Sequence, residues 1–238
     1  MDRQVLAERL GRKAIVLEVG GFRPEASLAE NPLASWFGQV SAGRPDEKWP
    51  THKSRAMWPL LQLNLTELPF RPSGLEDVAF LTVFIGPNTL PVDTPNGDRW
   101  CLRTYATLEE LETFRPPHTT STTLPFPMRP KVIDADFPCP DDLDEESLSG
   151  IDLEPDWEEE FIDTFENHPG VKLGGWPTLI QNEIVWPDEN LPAEPRYVLQ
   201  IDTVDKAHWM WGDAGVGYFG RGTAAGHDQE WFMTWQCY

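Results

Sequence analysis

The chain has 238 residues, a formal charge of -20 and 40% hydrophobic residues, 11 of them tryptophan. That apolar and aromatic content is too high for a disordered chain and sufficient for a sizeable core. No run of about 18 apolar residues is present to span a membrane as a helix, and the acidic balance repels nucleic acid and anionic lipid.

Residues 2–13 space Val5, Leu6 and Leu10 as a short amphipathic helix, and the charges at Glu8 and Arg9 before any apolar block do not fit a secretory signal. Ala14 to Val19 is a strand closed by Gly20-Gly21. Residues 23–59, rich in Pro, Gly and Trp, make an ordered loop region. Leu60–Leu65 alternates as a strand, Val78–Ile85 suits a strand covered on both faces, and Trp100–Tyr105 alternates again. Thr107 and Glu110 form a capping box, which predicts a short helix carrying Leu108, Leu111 and Phe114 until Pro116-Pro117. Residues 116–130 are extended or looped. Trp157, Phe161 and Phe165 fall four apart and predict an amphipathic helix over 155–168 that packs its rings on a sheet. Strands follow at Glu183–Trp186, Tyr197–Ile201, Gly215–Phe219 and Trp231–Gln236. The expected fold is α+β, mainly antiparallel sheet with a few packed helices, as a single domain over 1–238.

An internal repeat adds to this expectation. Leu60-Leu61-Gln62-Leu63-Asn64 matches Val198-Leu199-Gln200-Ile201-Asp202. Each follows a Trp/Gly/Pro element and precedes an aromatic strand with glycine. Duplication predicts sub-units 14–115 and 171–238 with pseudo-two-fold symmetry, joined by a Pro/Thr-rich and acidic segment, 116–170.

Charge is segregated. Residues 1–131 carry 15 cations and 15 carboxylates, whereas residues 132–238 carry 4 and 24. Between Asp134 and Glu166 lie fifteen carboxylates and no Lys or Arg. Such a run is a solvated face, a surface for a basic partner or a cation site. The partner reading rests on Asp141, Asp142, Asp144, Glu145 and Glu146. Three cysteines, Cys101, Cys139 and Cys237, lack C-x-x-C spacing and fit a reducing cytoplasm. The Walker, nucleophile-elbow, zincin and full dinucleotide motifs are absent, so no cofactor, metal or catalytic residue is assigned.

The run Lys172-Leu173-Gly174-Gly175-Trp176-Pro177, then Tyr197 to Asp202, then Trp211-Gly212-Asp213-Ala214-Gly215-Val216-Gly217-Tyr218-Phe219, and finally Trp235-Gln236-Cys237-Tyr238, resembles the YwqG-like domains of unknown function. The likeness is specific over 172–238 and looser over 36–115. It implies an α+β cytoplasmic domain and no established activity. Some members are similar to immunity proteins by their genetic setting. Two functions are expected as alternatives. One is a non-enzymatic binding protein of immunity type that neutralises a basic toxin or other basic partner. The other is a small-molecule binder or hydrolase with a polar cleft near Gln200, Asp202 and Asp213, served by His208, where the Asp213 carboxylate beside the indoles of Trp209 and Trp211 suits a cationic or sugar ligand.

Overall fold

The structure, a computed structural model, describes residues 3–144, 147–151 and 155–238. Ten strands form one sheet: β1 (Arg12–Val19), β2 (Trp36–Phe37), β3 (Trp58–Asn64), β4 (Phe80–Ile85), β5 (Trp100–Tyr105), β6 (Phe126–Asp136), β7 (Val171–Gly174), β8 (Arg196–Asp202), β9 (Val216–Arg221) and β10 (Trp231–Gln236). Their spatial order is β10-β9-β8-β7-β1-β6-β2-β3-β4-β5. Every neighbouring pair is antiparallel.

The α+β expectation is corrected. Among the described residues 32% are strand and 13% helix, and the sheet curls into a nearly closed barrel instead of carrying a layer of helices. Curling brings its two ends together. Trp100 of β5 meets Phe219 of β9 with ring centroids 5.9 Å apart, and the Trp235 indole donates to the Pro91 carbonyl at 2.6 Å. The main core therefore draws on both halves of the sheet, joining Leu61, Leu81 and Val83 to Leu173, Leu199 and Phe219. The curl turns one face of the sheet onto itself, which explains why so few helices are needed to cover the apolar residues. β4 is buried at every position because its outer residues are covered too: Phe84 packs with Val40 and Met57, Phe80 with Tyr105 and Ala42.

The strand order has an internal logic. β1 and β6 pair at the centre, with β7 to β10 running outward beyond β1 and β2 to β5 beyond β6. Each long strand thus lies beside the half-sheet that is built from the other part of the sequence.

Two helices of eight residues are described. α1 (Arg3–Leu10) and α2 (Trp157–Thr164) pack on each other outside the sheet, where Leu6, Leu10, Phe137, Phe161, Phe165 and Trp176 form a second core. Phe165 lies past the last helical turn, and Trp157 is only half-buried.

Three other expected elements differ. The capping box at Thr107 does not start a helix. Glu110 reaches back to the Thr107 amide at 3.1 Å, but its other oxygen binds Arg44 at 2.7 Å, and Thr113 pairs with Ala42 in a short ribbon. Pairing outweighs propensity where only three apolar residues favour the helix. Residues 183–186 bend instead of forming a strand, and the Trp186 ring covers Gly220, where a Cβ would stand 2.7 Å away. The Pro-rich stretch enters β6 through Pro127 and Pro130. β2 pairs with only Phe126 and Pro127 of β6, so beyond them that edge is free of sheet partners and tolerates Pro130. Among the described residues no helix is long and apolar enough to cross a membrane.

Candidate functional site

A cleft of about 770 Å³ opens where β1 starts, β7 ends and β8 starts. Arg12, Lys13, Arg196, Asp142 and Glu183 bring charge to it, and Trp176, Trp186 and Tyr197 bring rings. Gly174 and Gly175 turn the chain at its floor with φ of +68° and +66°. Glycine is required there on two counts. L side chains avoid this backbone region, and a Cβ on Gly175 would stand 2.3 Å from Asp136 Oδ2.

Beneath that turn lies a closed polar network. The Asp136 carboxylate is fully buried and accepts from the Trp176 amide (2.8 Å), the His168 amide (2.8 Å) and the Lys172 ammonium (3.0 Å). Burial pulls Lys172 below the ordinary lysine value, and Asp136 opposes that fall. Such a pair persists only when its remaining bonds are made, as they are here. Gln200 continues the network. Its Oε1 accepts from the Thr178 amide at 2.8 Å and from the Tyr197 hydroxyl at 3.3 Å, and its Nε2 donates to Asp202 Oδ1 at 2.8 Å. Asp202 Oδ2 accepts from the Gly170 amide at 2.6 Å, and burial raises this carboxyl to about 6.

The cations of the cleft are arranged differently. The Arg12 guanidinium lies 3.2 Å from the centroid of the Trp176 ring. Neither the Arg12 nor the Arg196 side chain has a hydrogen bond or a close ion pair with another described residue. Burial, and then the nearby charge of Arg196, lower the Arg12 pKa, while Asp142 opposes both. Lys13 reaches a carboxylate, Asp134, only at 4.0 Å. Asp142 is half-buried and raised to about 6 by burial, with Glu183 adding to the rise and Arg12 opposing it. The guanidinium donors are thus left free to face the opening, with flat rings beside them.

The structure brings two of the five expected ligand-binding residues together. Gln200 and Asp202 join on the outer face of β8. Trp209 and Trp211 lie on the inner face, in the main core, 4% and 0% exposed and edge-to-face at 5.1 Å. Asp213 sits exposed in a turn at the sheet edge, where its carbonyl accepts from the Tyr238 amide at 3.1 Å. Strand parity foresaw the first pair, but not that the tryptophans turn inward. Of the acidic residues, Asp141 and Asp144 are exposed, and Asp142 faces Arg12 across the cleft. Glu145 and Glu146 lie outside the described residues. Among the described residues no group of three or more His, Cys, Asp or Glu is placed to hold a metal ion.

Arg12, Lys13, Arg196 and Trp186 were not foreseen as site residues. A signal for one of them was present. Only four cations occur in residues 132–238. Lys172 is bonded to Asp136, and Arg221 grips Asp77 at 2.6 Å. In so acidic a half, a cation such as Arg196 without a carboxylate partner is conspicuous.

The family model described as Domain of unknown function (DUF1963) matches residues 36–237. The chain belongs to that family. The comparison with curated proteins gives no match.

Proposed function

We propose that this member of the DUF1963 family binds a small organic anion in the cleft between β1, β7 and β8. One observation carries the reading: in a chain of charge -20, two guanidinium groups, Arg12 and Arg196, face one opening without a close carboxylate partner. Their mutual repulsion is relieved by an anion set between them, and guanidinium groups grip carboxylate or phosphate in bidentate fashion. Trp176, Trp186 and Tyr197 suit a flat or apolar body on that anion. Gln200, Asp202, Lys172 and Asp136 act behind the wall as a rigid support for the twin-glycine turn. Asp213 has no part in this cleft.

The test is a thermal-shift and calorimetric screen of the full chain with aromatic carboxylates and nucleoside monophosphates. A probe that raises the melting midpoint of the parent should lose its effect in the Arg12→Gln/Arg196→Gln variant, with affinity at least about tenfold weaker, since a charge-assisted bond contributes roughly 1.5–3 kcal/mol. No shift with any probe, or a shift the double variant keeps, overturns the reading.

A second reading has its own support. Ile162, 62% exposed, stands on α2 among the carboxylates of Glu158, Glu159 and Asp163. An apolar contact within an acidic face suits a basic protein partner, as an immunity-type role would need. The likeness to YwqG-like domains supports placing the chain beside them in the family. Three unpaired thiols support a reducing cytoplasm.

A further inference from the structure

A second cleft lies in the other half of the sheet, away from the one described. It measures about 470 Å³ and is lined by His52, Lys53, Arg55, Pro87, Asn88, Thr89 and Arg99. No carboxylate is among those residues, although the protein as a whole carries twice as many carboxylates as cations.

The cations are held from several sides. Thr51–His52 and Arg55–Ala56 pair as a hairpin, with Lys53 and Ser54 at its tip. Arg99 comes from the approach to β5, and Asn88 and Thr89 from the chain leaving β4. Arg99 is steadied by the Thr89 hydroxyl at 2.9 Å, a neutral partner that leaves its charge uncompensated. Asp98, beside Arg99 in the chain, is bonded to His52 Nδ1 at 3.1 Å. Lys53 and Arg55 have no ion pair with another described residue.

Backbone conformation adds an independent sign. A two-residue hairpin turn with positive φ at both positions is normally built from Asn and Gly. Here Lys53 and Ser54 hold φ of 47° and 63°, and Asn88 across the cleft holds 79°. A lysine at a strained tip, where glycine or asparagine costs less, points to a use for its charge.

We infer that this cleft, with Lys53, Arg55 and Arg99 converging on it, is a binding site for a compact phosphate-class polyanion. Three cations match a multiply charged group better than a single carboxylate. The lining offers no Phe, Tyr or Trp ring, only the polar imidazole of His52, so it gives little grip to an apolar body. That separates this site from the first cleft, whose three rings suit an organic anion.

The probe is inorganic pyrophosphate, titrated calorimetrically into the full chain at ionic strength held constant with sodium chloride. Saturable binding is expected. Lys53→Asn is the informative single change, because asparagine accepts the left-handed turn and removes only the charge. It should weaken pyrophosphate roughly fivefold, and the combination with Arg55→Gln and Arg99→Gln should abolish saturable binding with the melting midpoint unchanged. Arg12→Gln/Arg196→Gln should leave pyrophosphate binding intact, so failure of the first cleft and failure of this one are told apart. The proposal is overturned by non-saturable heats, by a triple variant that binds like the parent, or by loss in the Arg12/Arg196 variant instead. It is equally overturned if a single-stranded oligonucleotide binds at these residues and pyrophosphate does not.

Discussion

At the scale of residues, burial decides which charges matter. Asp142 and Asp202 are both raised to about 6 by burial. A carboxyl whose folded pKa exceeds its unfolded value of about 3.9 holds its proton more tightly when folded. These two groups therefore stabilise the fold as pH falls from about 6 towards 4. Asp77 runs the other way. Its bond to Arg221 lowers it to about 2, so its contribution is present above pH 4 and is lost as pH falls towards 2. Stability should pass through a maximum in mildly acid solution, between these windows. Asp142→Asn isolates one group, because no hydrogen bond fixes that carboxylate in its charged form. At pH 7.5 the variant should melt higher than the parent by roughly 2–4 °C, the shift produced by about 1 kcal/mol in a domain of this size. By pH 4 the two should coincide. A gap that stays constant with pH, or a parent that is the more stable at pH 7.5, would show that Arg12 outweighs burial at this carboxyl.

Elements show where sequence pattern and tertiary demand agree. β4 and β5 were legible because unbroken or alternating apolar residues mark them. β6 was hidden by Pro127 and Pro130, which read as breakers, although Pro127 ends the short pairing with β2 and Pro130 lies where that edge is free. β7 is four residues long and ends at Gly174, too little for any period to register. In the candidate site, Gln200 and Asp202 were legible from parity on one strand. Arg12 and Arg196 were not, since only the pairing order β1-β7-β8, which no local pattern encodes, brings the starts of β1 and β8 to one side of the sheet. The matched Gln62 and Gln200 serve one task in their respective halves. Each accepts from a backbone amide of the loop that follows the preceding strand, Ser41 at 2.8 Å and Thr178 at 2.8 Å, and each donates to a carbonyl just ahead of that strand, Ala34 at 2.7 Å and Gly170 at 3.3 Å. Side chains that look like a polar pocket in sequence are here the pins of a loop. α2 depends on packing more than on propensity, being only eight residues long. Phe161 is 1% exposed between α1 and Phe165. Phe161→Ala should cost roughly 3–5 kcal/mol by chemical denaturation, while Ile162→Ser should cost almost nothing. Equal effects at the two positions would mean that the second core contributes little to stability.

For the whole molecule, the acidic half is shaped by α1. Arg3 binds Glu160 at 2.8 Å, and Arg9 donates to the Ser147 and Ser149 carbonyls at 3.0 and 2.8 Å. Cations of the first half thus hold the acidic segment in place, even though that segment has none of its own. The carboxylates they leave unpaired include Asp141, Glu158, Glu159 and Asp163, all exposed, with Ile162 among them. A diffuse charge of -20 and a focused acidic face predict different responses to neutralisation. If the field is focused, the rate of capture of a basic probe depends on where carboxylates are removed. The probe can be egg-white lysozyme, with association rates measured across ionic strength. Neutralising Asp141, Asp144, Glu158, Glu159 and Asp163 to their amides should slow capture by roughly tenfold at low salt, an effect that fades at physiological salt as the screening length shortens to about 8 Å. Neutralising five exposed carboxylates elsewhere, Glu25, Asp46, Asp93, Asp188 and Glu189, changes net charge equally and should slow capture far less. If both sets slow it to the same degree, net charge alone sets the rate, and the face around Ile162 is a solvated surface, not a docking one.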